Sequence, residues 1–217
     1  MRIYAEYFEE DGLTFRKNTL LQFGSGWDLL GNTVLANPGS AKPVDTPPNE
    51  VLASLRNFYD KYREPRSFTP EKWFEFSPDS TMRFVEKIFS GWYFGKDIEL
   101  NGVIQLFNTF NVRDQNLPQA IDNIGINSDL LFSYNVPEYF HDKPTYFGFS
   151  KEILNSDVLR PVAEHIFNHA TETVRRPYCE QFSENSFYHP MYVNRAHRQK
   201  HFQNYKWSVL EAMVLYT

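Results

Sequence analysis

Cysteine is almost absent from the sequence: Cys179 is the single one among 217 residues. A lone cysteine cannot form a disulfide within the chain, and no cysteine cluster exists that could hold zinc. Long hydrophobic runs are missing as well, because no stretch of about eighteen apolar residues occurs. The acidic N-terminus lacks the apolar segment of a signal peptide. We therefore expect a cytoplasmic protein that does not contact a membrane and needs no metal or cofactor.

Positive charge is also scarce. The chain has 22 Lys and Arg against 27 Asp and Glu, which gives a net charge of -5. Proteins that coat nucleic acid non-specifically are usually basic, because neutralising phosphates drives their binding. Any contact with nucleic acid must therefore come from a local patch. The best candidate is the segment 189–206, which contains several basic residues and no acidic one.

Aromatic and apolar residues, in contrast, are abundant, at 17% and 41% of the chain. This composition excludes a disordered tail and a collagen-like fibre. The length suits one domain with a substantial core. We expect a single domain over residues 1–217 that acts as a monomer.

The pattern of elements favours an α/β fold. Two alternating segments flank the turn at residues 9–12 and predict an N-terminal β-hairpin. Strands and helices then alternate, which predicts a three-layer αβα fold with a central, mostly parallel four-stranded sheet in addition to the hairpin. The four strands are expected at 33–36, 103–107, 144–150 and 176–182. The helices are expected at 49–63 (with Asn49 as N-cap), 77–89 (capped near Asp79 or Ser80), 156–174 (interrupted early by Pro161) and 207–215.

Three polar clusters are expected at one edge of this sheet. Asn37-Pro38-Gly39-Ser40 follows the first strand, Asn108-Thr109 follows the second, and His189-Pro190 comes late in the chain. In open α/β folds the binding site lies outside the carboxyl ends of the strands. We therefore expect the three clusters to form one site.

In this order and context, the clusters resemble the motifs of the uracil-DNA glycosylase superfamily. The segment VLANPGSA is similar to the G-I-N-P-G motif of the mismatch-specific branch. VIQLFNTFNVRDQN resembles L-L-L-N-x-x-L-T-V-R of the uracil-specific branch, and YHPMYVNRAH resembles the late motif H-P-S-P-L-S. An uncharacterised bacterial family with L-N-P-S-x-A, D-P-T-x-R-R, N-L-F-x-x-R and H-P-L-Y is similar in more detail. Its counterparts here are LANPGSA, PDSTMRF, QLFNTFNVRD and HPMY.

The resemblance implies a role for each cluster. Asn37 would orient the attacking water beside the sugar, and Asn108 would read the edge of a base flipped out of the duplex. His189 would stabilise the departing base. Asp45 is the nearest carboxylate that could assist Asn37. The structural alternatives are an Asn-Pro turn, a capping amide and an ordinary core or surface histidine.

The base pocket would be roomy. Gly39 stands where the uracil-specific branch has a tyrosine that blocks larger pyrimidines, and Ser40 follows it. The family places an aromatic residue soon after the first motif, but here none appears until Phe58. Phe110, Tyr188 or the aromatic-rich segment 68–76 would have to stack on the base instead. A bulky or hypermodified pyrimidine, as found in phage DNA, is therefore favoured over uracil.

The late segment would supply the contacts to DNA. Met191, Tyr192 or Val193 would fill the space that the flipped base leaves in the stack, and nearby polar and basic residues would hold phosphates. The alternative is a solvated start of a helix. The residues proposed for the phosphates are Asn194, Arg195, Arg198 and Lys200.

We therefore expect a monofunctional DNA glycosylase that removes a modified pyrimidine from double- or single-stranded DNA and leaves an abasic site. Its setting would be base excision, with antiviral defence as one possibility. Two alternatives remain open. One is a nucleic-acid-binding module of the same fold that has lost its chemistry, and the other is a nucleoside hydrolase.

Overall fold

The computed structural model describes residues 1–39, 41–64, 67–113, 130–199 and 207–215. The predicted hairpin is confirmed. Strands β1 (Arg2–Glu10) and β2 (Leu13–Phe23) pair in antiparallel fashion. Asp11 and Gly12 connect them with φ angles of 51° and 76°. A tight hairpin turn needs this left-handed backbone, which Asp and Gly tolerate.

The hairpin belongs to a larger sheet. In the described part of the chain, five further strands follow: β3 (Leu29–Leu35), β4 (Pro43–Asp45), β5 (Trp73–Phe76), β6 (Gly102–Asn108) and β7 (Thr145–Phe147). The order across the sheet is β4-β5-β1-β2-β6-β3-β7. β3 is parallel to both β6 and β7, whereas the other pairs are antiparallel.

The fold class is therefore mixed α/β, but the predicted four-stranded, mostly parallel sheet is wrong. Over the residues that the structure describes, the sheet has seven strands and is mostly antiparallel. The main reason is that the hairpin does not stand apart: β2 pairs with β6, and β1 pairs with β5.

The fourth predicted strand, at 176–182, is also wrong. Arg176–Tyr178 forms a 3-10 turn. Cys179 and Glu180 follow with φ angles of 56° and 58°. Left-handed backbone at two successive residues cannot continue a strand.

The helices are α1 (Asn49–Tyr62), α2 (Ser80–Phe89), α3 (Lys151–Leu154), α4 (Leu159–His169), α5 (Glu172–Arg175), α6 (Pro190–Arg198) and α7 (Trp207–Met213). The predicted helices at 49–63, 77–89 and 207–215 are thus present with nearby bounds, and Asp79 is the N-cap of α2. The one predicted at 156–174 is divided, because the backbone of Ala170 is extended. The N-cap of α1 is Pro48, not Asn49.

Two groups of buried side chains hold the helices against the sheet. Leu55 and Phe58 of α1 belong to one group, together with Tyr4 and Trp73 of the strands. The other, larger group includes side chains of α2, α4, α6 and α7. Among the residues that the structure describes, no helix is long and apolar enough to cross a membrane.

Candidate active site

The carboxyl ends of three strands meet at one edge of the sheet, because β6, β3 and β7 run parallel. Leu35 at the end of β3 pairs with Asn108 at the end of β6. Just beyond, the backbone N–H of Thr109 donates to the carbonyl of Leu35 at 2.8 Å. The hydroxyl of Thr109 donates to the carbonyl of Ala36, also at 2.8 Å. The Asn37 turn and the Asn108-Thr109 pair are therefore adjacent.

The late segment reaches the same edge. Gly148 follows β7, and its N–H donates to the carbonyl of Val34 at 2.9 Å. A Cβ added at Gly148 would lie 2.6 Å from Cδ2 of Leu35 and 3.1 Å from Cδ of Pro190. The ring of Pro190 is thus packed closely against the ends of β3 and β7. The structure brings the three predicted clusters together.

Asn108 is the most unusual residue at this edge. It is 1% exposed. Neither its amide nitrogen nor its amide oxygen has a hydrogen-bond partner within the described part of the chain. Leaving a buried polar group unpaired costs about 1–3 kcal/mol. A ligand that presents one acceptor and one donor would satisfy both atoms.

The strand pattern indicates which face Asn108 occupies. Three residues earlier in the same ladder, Gln105 donates to the side chain of Asn32 at 2.8 Å, so paired residues share a face. Successive residues of a strand alternate between faces. Asn108 therefore lies on the opposite face from Gln105, on the side of its partner Leu35, where Pro190 packs.

Arg16 is a site residue that the sequence analysis missed. It lies on β2, is 2% exposed, and donates through Nη2 to the carbonyl of Pro38. No described residue accepts a hydrogen bond from its Nε or Nη1. Burial lowers the pKa of Arg16 to about 10, against the attraction of Asp79, so the guanidinium stays charged at neutral pH. A buried cation therefore underlies the Asn37-Pro38-Gly39 turn.

His189 is the N-cap of α6. Its Nδ1 accepts the backbone N–H of Met191 at 3.3 Å. A neutral imidazole with an accepting Nδ1 carries its proton on Nε2. Burial lowers the pKa of His189, and the nearby carboxylates of Glu152 and Asp79 oppose this shift. At neutral pH His189 is therefore a neutral side chain with one N–H to donate.

Asp45 does not lie beside Asn37. It ends the edge strand β4, and four strands separate β4 from β3. At the usual ~4.8 Å between strands, β3 and β4 are roughly 24 Å apart. The carboxylate of Asp45 instead accepts the backbone N–H of Thr46 at 2.7 Å. Asp45 is close to Asn37 in the sequence but not in the fold, because the chain between β3 and β4 crosses to the opposite edge of the sheet.

The predicted base-binding residues differ in how accessible they are to a ligand. Gly39 has a φ of 67°, and no atom would lie within 4 Å of a Cβ there, so the space around this turn is open. Phe110 is fully buried against Phe132, with ring centroids 5.9 Å apart, and cannot stack on a ligand. Tyr188 is half-buried, and its carbonyl accepts the hydroxyl of Tyr146. Ser40 lies outside the described residues.

The residues proposed for DNA divide between the two sides of α6. Met191, Arg195 and Arg198 are exposed, and the guanidinium of Arg195 lies 5.8 Å from the ring centroid of the half-buried Tyr192. Asn194 is buried, and its Oδ1 accepts the hydroxyl of Tyr93 at 3.4 Å. Its assignment to phosphate binding is therefore wrong. Lys200 lies outside the described residues.

No protein-family model, curated protein or solved structure was found to match this chain.

Proposed function

We propose that the chain is a monofunctional DNA glycosylase that removes a modified pyrimidine. The observation that carries the proposal is the buried amide of Asn108, which lacks a partner among the described residues at the edge where the Asn37 and His189 segments meet. A pyrimidine edge presents the donor and acceptor that this amide needs. The proposal includes the αβα layering that the resemblance implies, and it takes DNA as the partner.

The chemistry is the hydrolysis of one bond. Water, oriented by Asn37, adds its oxygen to C1′ of the sugar and loses a proton to solvent. The bond between C1′ and the base nitrogen breaks, and the base leaves with the electron pair. Nε2–H of His189 donates to a carbonyl of the departing base, where negative charge develops. The buried charge of Arg16 favours the same anion. No lysine stands in the three clusters, so an abasic site is the expected product.

The test is the formation of abasic sites on a panel of DNAs that contain cytosine, uracil, 5-hydroxymethylcytosine or its glucosylated form. We expect product from modified DNA only, and a loss of at least about tenfold in the Asn37→Ala variant. Asn49→Ala is the matched control, since Asn49 is exposed and makes no cap to α1. Absence of product from every DNA would contradict the proposal.

A second candidate is a binding module of the same architecture without turnover. The position of Asp45 favours it, because that carboxylate cannot activate the water near Asn37. This candidate predicts that modified DNA binds to the wild type and that no base is released. Binding of DNA in the panel without abasic sites would decide for it.

A further inference from the structure

Two arginine side chains hold the Asn37 turn. Nη2 of Arg16 donates to the carbonyl of Pro38. Nε of Arg113 donates to the carbonyl of Ala41 at 3.0 Å. Arg16 belongs to β2, and Arg113 follows β6. The turn is therefore fixed at two points by side chains that are distant from it along the chain.

Both arginines project from the same face of the sheet. Beyond the end of β6, Phe15 pairs with Val112 in an antiparallel bridge. The N–H of Arg113 donates to the carbonyl of Thr14 at 2.8 Å, so these two residues lie opposite each other. Residues that lie opposite each other share a face. Arg16 comes two residues after Thr14 on β2 and therefore lies on that face too.

A bulge in β2 puts Arg16 on the face of the candidate active site. Arg16 and Leu21 are five residues apart, so they would occupy opposite faces of a regular strand. The register of β2 with β1 shifts once between them, and Asn18 has a φ of 52°. The extra residue of this bulge brings both side chains to one face. Leu21 pairs with Ile104, which is four residues before Asn108 on β6. Arg16 and Asn108 therefore share that face.

The two carbonyl contacts determine where the turn presents its N–H groups. A peptide bond is planar and trans, so its C=O and N–H point in opposite directions. The carbonyl of Pro38 points toward Arg16, and the N–H of Gly39 in the same peptide therefore points away from it. The N–H of Lys42 points away from Arg113 for the same reason. Both N–H groups thus lie on the side of the turn that faces away from the arginines, here called the outer side.

The positive charge of Arg16 is only partly compensated. Its side chain is buried, and its Nε and Nη1 have no hydrogen-bond partner among the described residues. Asp79 attracts the guanidinium, whereas Arg113 repels it. A charge that is shielded from water acts more strongly on its surroundings than an exposed one. An anion on the outer side would be attracted by both arginines and would accept hydrogen bonds from the N–H groups that point toward it.

We propose that the outer side of the Asn37 turn binds an oxyanion, with a phosphate group as the expected ligand. The N–H groups of Gly39 and Lys42 donate to its oxygens, as in the anion-binding concavities that backbone N–H groups form in other proteins. Phosphate is favoured because it carries up to two charges for two arginines and has several acceptor oxygens. A phosphate group can belong to the DNA backbone or to a free phosphate compound, and the experiment distinguishes these sources.

The test is an NMR titration of the wild-type protein with inorganic phosphate at constant ionic strength. The amide resonance of Gly39 should shift and reach saturation as phosphate binds. Arg16→Met should weaken phosphate binding at least about tenfold, because a charge close to the anion is lost together with the contact that orients the peptide. If Arg16→Met melts below the measuring temperature, Arg113→Met replaces it and should weaken the binding for the same reason.

Lys42→Met is the matched control. Its side chain is exposed and carries the same charge next to the turn, whereas Arg16 and Arg113 hold the turn carbonyls. Phosphate binding should stay close to that of the wild type, because an exposed charge contributes little. An equal loss in Lys42→Met and Arg16→Met would show a general attraction by positive charge and would overturn the site. A shift of Gly39 that never saturates would show an adventitious ion only, with the same consequence.

A second arm identifies the source of the phosphate. An unmodified DNA duplex is added to the protein that already holds inorganic phosphate. Reversal of the phosphate-dependent shift would assign the site to the DNA backbone, whereas a shift that persists would assign it to a free phosphate compound. The inference does not depend on base release. Saturable phosphate binding without abasic sites would support the site and contradict the glycosylase, and base release without phosphate binding would do the reverse.

Discussion

Among the described residues, buried polar atoms without a hydrogen-bond partner occur at the candidate site and also elsewhere, at Gln22, Arg63 and Trp73. Asn108 and Arg16 have them at the candidate site, and Thr19 and Thr33 have them on the strands that flank Leu106. Each such group costs free energy of folding. Proteins tolerate the cost mainly where a ligand or a reaction uses the group. At the scale of single residues, we therefore expect the polar groups of the site to lower the free energy of unfolding while they serve binding or catalysis.

The Arg16→Met variant tests whether this buried charge lowers stability and supports activity. Removing a buried charge avoids its desolvation cost, so an apolar side chain of similar length is expected to be neutral or stabilising despite the lost hydrogen bond to Pro38. We expect a melting temperature equal to or above that of the wild type, together with a loss of at least about tenfold in base release. The two measurements are thermal melting and abasic-site formation on the best substrate.

Arg16→Lys is the control, because it keeps the charge and loses the planar group that reaches Pro38. It should retain more activity than Arg16→Met. A methionine variant that melts well below the wild type would instead show that Arg16 is a structural residue.

Sequence reasoning found some of these residues and missed others for a physical reason. Asn37 and Asn108 follow apolar segments, so their place at the sheet edge could be inferred, whereas His189 was included because of its late motif. Arg16 stands in a hairpin strand, where a charged residue usually faces water, and its burial depends on the distant Asn37 turn. Asn194 was misassigned because the helix start considered for this segment was expected to be solvated, whereas one side of α6 is buried.

At the scale of elements, α2 connects the cap of a helix with the electrostatics of the site. The side chain of Asp79 is its N-cap and accepts the backbone N–H of Met82 at 2.9 Å. The same carboxylate attracts both Arg16 and His189 and partly offsets the lowering of their pKa values by burial. The side chain of Asp79 therefore caps α2 and also influences the protonation of Arg16 and His189 at the sheet edge.

Two variants of Asp79 separate these roles. Asp79→Ala removes the cap and should lower the free energy of unfolding by about 1 kcal/mol. Asp79→Asn keeps a capping oxygen, so its stability should stay close to that of the wild type. Both remove the charge, and in both the pKa of His189 should fall. Urea denaturation measures the stability, and NMR titration of the imidazole measures the pKa.

Equal losses of stability in the two Asp79 variants would contradict the capping role. An unchanged pKa of His189 in both would contradict the electrostatic one.

Local signals explain which elements could be predicted. The hairpin has a turn of Asp and Gly, and α1 and α2 have apolar residues at helical spacing. β4 and β5 have three and four residues, and they form only by pairing with each other and with β1. Such long-range pairing leaves little trace in a short segment.

At the scale of the whole molecule, the antiparallel and parallel parts of the sheet meet at β2 and β6. The parallel part brings together the ends of β6, β3 and β7. The antiparallel part adds Arg16 from β2 to that edge. A hairpin outside the sheet, as predicted from the sequence, could not have supplied this charge. The error in the predicted sheet and the missed residue therefore have one cause.

The histidines give the whole molecule a predictable response to pH. Burial lowers the pKa of His189, and burial together with the neighbouring His169 lowers that of His165. In the unfolded chain both return to about 6.5. As pH falls through 6.5, the unfolded state therefore binds protons that the folded state does not. Stability should decrease in this window and level off below the folded pKa values.

Urea denaturation between about pH 7.5 and 5 should show this decrease in the free energy of unfolding. A His165→Gln/His189→Gln variant should have a flatter profile, because neither side chain then takes up a proton on unfolding. Glu152, whose pKa is lowered mainly by a hydrogen bond from Ser150, loses its stabilising effect only below about pH 4.5, outside the window. An equally steep profile in the double variant would show that other groups carry the response, and that His189 is not held neutral by the fold.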